Sequence, residues 1–392
     1  MKALNDNAHP LESLLKQHCP NGVEFKELGE LWEKAPKSKM GANQAKNLSK
    51  NNGNICFTSG ETHYFIDDYL VDGEFLFLND GGTADIKYNS GKAYYTDHIF
   101  AFTSQKICVK FLYYFLKDKQ EAINKTCFQG TGLKNLQKNK IEKFPIPLPP
   151  LEIQYKIVEI LDAFTELQAE LQAELEARLK QYHYYRNKLL SHDELENRTA
   201  KSRNDSDPAT LVPYVRLGEA CEILDNLRKP ITKSKRTQGI YPYYGANGIQ
   251  DYVNEYIFDG DFLLMGEDGS VINKDNSPVL NWVSGKFWVN NHAHILKEKS
   301  NTTNLRFVFF YLQTCDVSSI VRGVPPKINQ QNLKTIQIPL PPLAVQNEIV
   351  ELLDKFDTLT NDLTSGIPAE IEARKKQYEY YRERLLSFIA KD

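Results

Sequence analysis

Apolar residues at Ile153, Ile157, Ile160, Phe164, Leu167 and Leu171 follow steps of four and three, the seam of a coiled-coil helix. The same steps recur at Val345, Ile349, Leu352, Phe356, Leu359 and Leu363. Each row begins just after a Pro-Pro pair, which stops a strand and can open a helix. In the first row Leu175 arrives four residues after Leu171 instead of three, a stutter that unwinds a supercoil locally. In the second, Gly366 and Pro368 should break or kink the helix. A lone seam would face water, so the two helices are expected to pack on each other.

Elsewhere the pattern is shorter. Residues 252–258 and 261–265 are β-rich runs bounded by Gly-Asp turns, and 111–116 and 307–312 predict one short helix each. Gly81-Gly82 and Gly245-Ala246-Asn247-Gly248 are expected as hairpin turns rather than phosphate cradles. Residues 192–210, rich in Asp, Asn, Ser and Arg, have the composition of a mobile linker.

The two seams belong to an internal repeat. Ile146-Pro147-Leu148-Pro149-Pro150-Leu151 returns as Ile338-Pro339-Leu340-Pro341-Pro342-Leu343, 192 residues later. Gln181-Tyr182-His183-Tyr184-Tyr185-Arg186, with Leu189-Leu190-Ser191 behind it, returns 196 residues later as Gln377-Tyr378-Glu379-Tyr380-Tyr381-Arg382 and Leu385-Leu386-Ser387. Leu28-Gly29-Glu30 is echoed by Leu217-Gly218-Glu219. The chain therefore divides into a globular part (1–144), a helix (145–191), a linker (192–210), a second globular part (211–337) and a second helix (338–392). The fold class expected is α+β, with two mostly-β parts separated by long helices.

Composition adds limits. An apolar content of 41% with 25% charged residues suits a soluble globular protein, and no run approaches the roughly 20 apolar residues of a membrane span. The start of the chain has no apolar signal segment, and the six cysteines form no Cys-x-x-Cys pair. Both suit a cytoplasmic protein without a zinc site. There is no Gly-x-x-x-x-Gly-Lys phosphate loop and no Asn/Asp-Pro-Pro-Tyr/Phe motif. His292 and His294 have no neighbouring Cys or carboxylate at ligand spacing and are expected as strand residues, with no metal.

Net charge, −3 over the chain, is uninformative until it is divided: +2 for 1–144, −2 for 145–191, zero for 192–337 and −3 for 338–392. The helices are acidic, as befits protein contacts. Within the globular parts the basic residues are pooled. Lys34, Lys37, Lys39, Lys46 and Lys50 lie in an acid-free stretch with Asn43, Gln44 and Asn47. Arg228, Lys229, Lys233, Lys235 and Arg236, with Asn247, occupy the matching place in the second copy. A further acid-free stretch precedes each helix, holding Lys134 and Lys138 in one copy and Arg322 and Lys327 in the other. Cationic stretches recurring in register fit a surface that tracks phosphates. Residues 1–144 contain no arginine, so amides suited to adenine should serve there, with Arg228, Arg236 or Arg322 free to read guanine in the second part.

Two diverged domains, each followed by an Ile-Pro-Leu-Pro-Pro-Leu helix ending in Gln-Tyr-x-Tyr-Tyr-Arg, resemble the specificity subunits of type I restriction–modification systems. The segment from Ser365 to Arg374 is similar to that family's C-terminal conserved region. The resemblance implies two target recognition domains, each reading half of a bipartite DNA sequence, held apart by an antiparallel pair of helices. It implies no catalysis and no cofactor in this chain. Two methyltransferase subunits using S-adenosylmethionine and two motor-nuclease subunits using ATP and Mg would dock on it, and no membrane is involved. Tyr182, Tyr185, Tyr378 and Tyr381 are candidate anchors for the methyltransferases, since tyrosine brings contact area at low entropic cost, with filling of the helix-pair seam as the alternative for Tyr182 and Tyr378. The alternative is a coiled-coil adaptor with non-DNA ligands.

Overall fold

The computed structural model describes Gln17 and residues 19–203, 212–299 and 301–390. Among these, seven helices have eight residues or more: α1 (Val109–Asp118), α2 (Gln120–Cys127), α3 (Leu151–Leu189), α4 (His192–Arg203), α5 (Leu305–Leu312), α6 (Leu343–Asn361) and α7 (Ile367–Leu385). The chain forms two units, Met1–Leu171 with Ile371–Asp392, and Gln172–Glu370. This is not the division expected from the sequence. Helix α3 gives its first part to one unit and its second to the other, and most of α7 belongs to the first.

In the first unit Glu24–Glu27 pairs antiparallel with Pro145–Leu148, so the Ile-Pro-Leu-Pro segment clips the end of the globular part to its beginning. Between them lie a four-stranded sheet (order Glu33–Lys34, Ile99–Thr103, Glu74–Asn79, Ile86–Ser90) and a three-stranded one (His63–Ile66, Asn54–Phe57, Ala93–Tyr95). Alternation along Glu74–Asn79 sends Leu76 and Leu78 into the main core and Phe77 into a second one, against Tyr95 and Ala101. Helix α1 covers the main core with Phe111, Leu112 and Phe115, and Ile153, Ile157 and Leu161 of α3 close it.

The second unit repeats this plan. Tyr214–Arg216 pairs with Gln337–Pro339. The intervening sheet has six strands in the order Cys221–Ile223, Ala293–Glu298, Phe258–Gly266, Leu280–Val289, Gln238–Gly245, Gly248–Val253. Helix α5 and Val345, Ile349 and Leu353 of α6 cover it. Gly245 and Gly248 close a hairpin as expected. The strand expected over 252–258 is interrupted, because the chain turns between Val253 and Phe258. In both Leu-Gly-Glu turns the glycine permits close helix approach: a Cβ on Gly218 would lie 2.8 Å from Lys334 Cγ, and one on Gly29 3.2 Å from Glu142 O.

The helices depart from a simple two-helix seam. Their first halves pack on their own globular parts, so the buried row in α6 is Val345, Gln346, Ile349 and Leu353, while Leu352, Leu359 and Leu363 are exposed. Their second halves are exchanged. In the first unit Tyr381 stacks on Phe164 at 5.5 Å, and Arg382 Nε donates to Asp118 at 3.1 Å. In the second, Tyr185 stacks on Phe356 at 5.5 Å, and Arg186 donates to Gln313 at 2.9 Å. Each unit is thus completed by the Gln-Tyr-x-Tyr-Tyr-Arg motif of the other copy. The second helix breaks where expected: a Cβ on Gly366 would lie 2.4 Å from Thr358 O, and Asp362 organises the turn through Thr364 and Ser365.

Residues 192–203 of the expected linker are helix α4, a correction; residues 204–210 lie outside the described residues. Ser191 Oγ accepts from Glu194 N, capping the helix, and Leu195 is fully buried. Buried Thr199 and the ion pairs of Arg198 with Glu194 and Glu348 add to that cap and side chain, against a polar composition.

Two buried glutamines recur at matching positions. Gln154 accepts from Cys108 N at 2.9 Å and donates to Pro149 O at 2.8 Å. Gln346 accepts from Asn304 N and donates to Pro341 O, both at 2.8 Å. Replacing either by leucine leaves buried backbone groups without partners and should cost about 1–3 kcal/mol, read as a lower denaturant midpoint at unchanged slope.

Candidate nucleic-acid interface

In the first unit, residues 35–41 are held at the surface by backbone bonds from Ala35 to Ala101 (3.0 Å) and from Asp97 to Met40 (2.8 Å). The short helix Ala42–Asn47 follows, anchored by Met40 and Ala45 in a small core with Cys56 and Ile66. Its outer side presents Asn43, Gln44, Lys46 and Asn47, all exposed, beside exposed Lys37 and Lys39. Lys34 is exposed but engages Glu142 at 2.8 Å, and Lys50 pairs with Asp67. Lys134 and Lys138 are exposed at the end of the domain, Lys138 lying 5.7 Å from the Phe100 ring.

The second unit treats its basic stretch differently. Lys229, Lys233 and Lys235 are exposed, as are Asn247, in its hairpin turn, and Arg322. Arg228 and Arg236 are folded inward. Arg236 lies 4.2 Å over the Tyr243 ring and donates to Ile231 O (3.0 Å) and Asp251 (3.2 Å). Arg228 donates to Asp225 O and Ala293 O, each at 2.9 Å, and pairs with Glu267. Neither guanidinium has its fork free for a base; Arg322 is exposed, with its Nη1 donating to Val321 O at 2.7 Å.

Arg228 belongs to a buried charge network that the sequence hid. His294, fully buried, places Nδ1 2.7 Å from Asp225 Oδ2 and 3.8 Å from Glu267, and Nε2 2.8 Å from Ile328 O. Carboxylates that no sequence spacing sets beside the histidines are brought there by turns elsewhere in the chain; only His294 lies in a strand, and His292 sits in the preceding turn on Asp268. Asp225 also accepts from Gln330 at 3.0 Å, and Lys327 reaches Glu267 at 3.0 Å. Burial alone would raise the carboxyl pKa values of Asp225 and Glu267, but donors from His294, Arg228 and their neighbours hold both below their ordinary values. The three residues have the spacing of a cation site. Nε2 of His294 donates to Ile328 O, which fixes the ring with Nδ1 turned towards the two carboxylates.

The four candidate tyrosines serve intramolecular packing to different degrees. Tyr182 is 3% exposed with its hydroxyl on Gln313 (3.2 Å), which corrects its assignment as a partner anchor. Tyr378 packs edge-on to Phe164, and Tyr185 and Tyr381 stack as described. The open aromatic faces of the motif are Tyr184 and Tyr380. Among the described residues no helix is long and apolar enough to cross a membrane.

The family model described as "Type I restriction modification DNA specificity domain" matches residues 20–181 and again 212–373. The EcoR124I/EcoR124II specificity subunit of Escherichia coli is 32% identical over 311 residues, 72% of each chain. A Haemophilus influenzae protein with the provisional name of type I restriction enzyme specificity subunit is 44% identical over 181 residues, so the match spans 46% of that relative and 45% of this chain. A crystal structure of the type I S subunit from M. genitalium superposes with a TM-score of 0.66 over 99% of both chains at 18% identity, which shows the fold. Two family matches in register with two structural repeats make this chain a member of the type I restriction–modification DNA specificity family.

Proposed function

We propose that the chain recognises a bipartite DNA sequence for a type I restriction–modification complex, one half-site for each globular part, and contributes no chemistry of its own. The observation that carries this reading is the pair of lysine- and amide-bearing surfaces formed by acid-free stretches of sequence at equivalent places in two otherwise diverged domains. Phosphates would engage the lysines; Asn43, Gln44 and Asn47 suit adenine in one half-site, and Arg322 suits guanine in the other. Two methyltransferase subunits binding S-adenosylmethionine would dock on the helices, and two motor-nuclease subunits using ATP and Mg would complete a cytoplasmic assembly. The test is adenine methylation of duplex DNA by the cognate methyltransferase with and without this chain. Site-specific methylation is expected only with it, and equal methylation without it would remove the proposed role.

The methyltransferase contact falls on the open side of the tyrosine motif. Tyr184→Ala together with Tyr380→Ala should leave the melting temperature within about 2 °C, as for surface changes, and should abolish co-purification with the methyltransferase. Unchanged co-purification would move the contact elsewhere.

Helix α3 supplies the spacing. It carries a four-residue repeat from Glu166 to Ala177, and deleting residues 168–171 removes slightly more than one turn. The deletion shortens the helix by about 6 Å, against about 3.4 Å per base pair of DNA. The methylated motif should lose one or two spacer base pairs and keep both half-sites.

A further inference from the structure

Each globular part ends in a tight hairpin whose tip is apolar and open to water: Leu133 is 71% exposed and Val324 101%. In the first unit the hairpin is flanked by Phe128–Gln129 paired with Asn135–Leu136. In the second it is closed by reciprocal backbone bonds between Arg322 and Lys327, at 2.8 and 2.7 Å. Both are stapled to the body in the same manner. Gly82 N donates to Lys134 O (2.7 Å) and Leu136 N to Asp80 O (2.9 Å). At the corresponding places Gly269 N donates to Pro326 O and Ile328 N to Glu267 O, each at 2.9 Å. The tips, Gly-Thr-Gly-Leu-Lys and Gly-Val-Pro-Pro-Lys, differ in sequence and length of turn, yet both are fixed by backbone bonds and both carry an exposed apolar side chain.

One exposed apolar residue is ordinary on a protein surface. Two on corresponding hairpins of diverged domains, each on a stapled loop and one residue out of register, are not explained by packing. Their own segments are cationic: residues 122–141 and 317–347 contain no Asp or Glu, and exposed Lys134 and Arg322 lie within two residues of the tips, while Lys327 is held on Glu267 at 3.0 Å. A protein partner docking through the acidic helices would gain little from this ground, whereas the phosphate backbone matches it. Resting on the DNA-reading role proposed above, we infer that Leu133 and Val324 are wedges: each enters a groove at its half-site and lies against a partly opened base step, while its cationic neighbours hold the flanking phosphates. An opened step beside the target also eases removal of the adenine from the stack, which methylation of a base requires.

The test uses the complex assembled with its methyltransferase subunits and a duplex carrying the mapped target, with 2-aminopurine placed at each half-site to report unstacking. Leu133→Ser and Val324→Ser each remove an exposed side chain and leave the core untouched. Each is expected to weaken target binding about tenfold, the scale of burying one aliphatic side chain, and to quench the 2-aminopurine signal at its own half-site only. The slope of log K against log salt stays unchanged, whereas Lys134→Ala lowers it. Wild-type affinity and fluorescence in both serine variants would overturn the wedge, and so would loss of the methyltransferase from the complex in place of these effects. A wild-type complex that binds no duplex would instead defeat the DNA-reading role itself.

Discussion

Asp225→Ala is expected to lower the melting temperature of the second unit by roughly 6–20 °C, the consequence of a loss of about 3–5 kcal/mol on breaking one partner of a buried charge network. Asp225 accepts from His294, Gln330 and the Ile295 amide, and faces Arg228 at 3.6 Å. Removing it deprives His294 of its nearer partner and leaves Glu267 as the remaining carboxylate of the network beside His294 and Arg228, whose side chains are 0% and 13% exposed. Asp225→Asn keeps part of the hydrogen bonding and should lose less. The pH response has a definite sign. Asp225 and Glu267 are held below their ordinary pKa values in the folded state. Their contribution is complete above the unfolded carboxylate range of about 4 and is lost as pH falls through the lower folded values. Wild type should therefore lose stability steeply in acid, and Asp225→Ala less so. Thermal unfolding monitored from pH 7 to pH 3 checks both.

Removing Lys37, Lys39 and Lys46 together should reduce the slope of log K against log salt by about 2.7 for the assembled complex on its target, at roughly 0.9 per phosphate contact. All three are exposed on the lysine- and amide-bearing surface of the first unit, so the fold should be unaffected. If the complex makes six to ten such contacts in all, wild-type affinity falls about 10³–10⁵-fold between 50 and 200 mM salt. A triple variant with the wild-type slope would take this surface out of the interface. Loss of affinity at unchanged slope would make the lysines base readers instead.

Regular patterns carried most of the fold into view from the sequence. The repeat, the short helices α1 and α5, and the break at Gly366 follow from spacing and from residues with few conformational options. The exchange of helical halves did not, because a heptad row records which face is apolar and not which surface covers it. Ile153 and Ile157 meet their own domain, while Phe164 meets the motif of the other copy, in one continuous row. Arg228 and Arg236 read as surface charge because their acids are supplied by the fold: Glu267 lies 39 residues from Arg228, and Asp251 lies 15 from Arg236. His294 finds Asp225 across 69 residues. Buried Gln154 and Gln346 carried a signal that could have been used, a matched Gln three residues after the last Leu of each Pro-Pro-Leu segment, polar inside an apolar row. Lys37, Lys39 and the amides of the Ala42–Asn47 helix lay where the acid-free stretch pointed, since no carboxylate nearby draws them inward.

Whether one chain reads two separate pieces of DNA is decided by the adenine methylation map of a genome modified by the complex containing it. The expected result is a single motif of two short specified half-sites separated by a fixed run of unspecified base pairs. Exchanging residues 212–337 for those of a relative should change one half-site and leave the other intact. A continuous motif without a spacer, or a motif that changes in both halves on that exchange, would contradict the account.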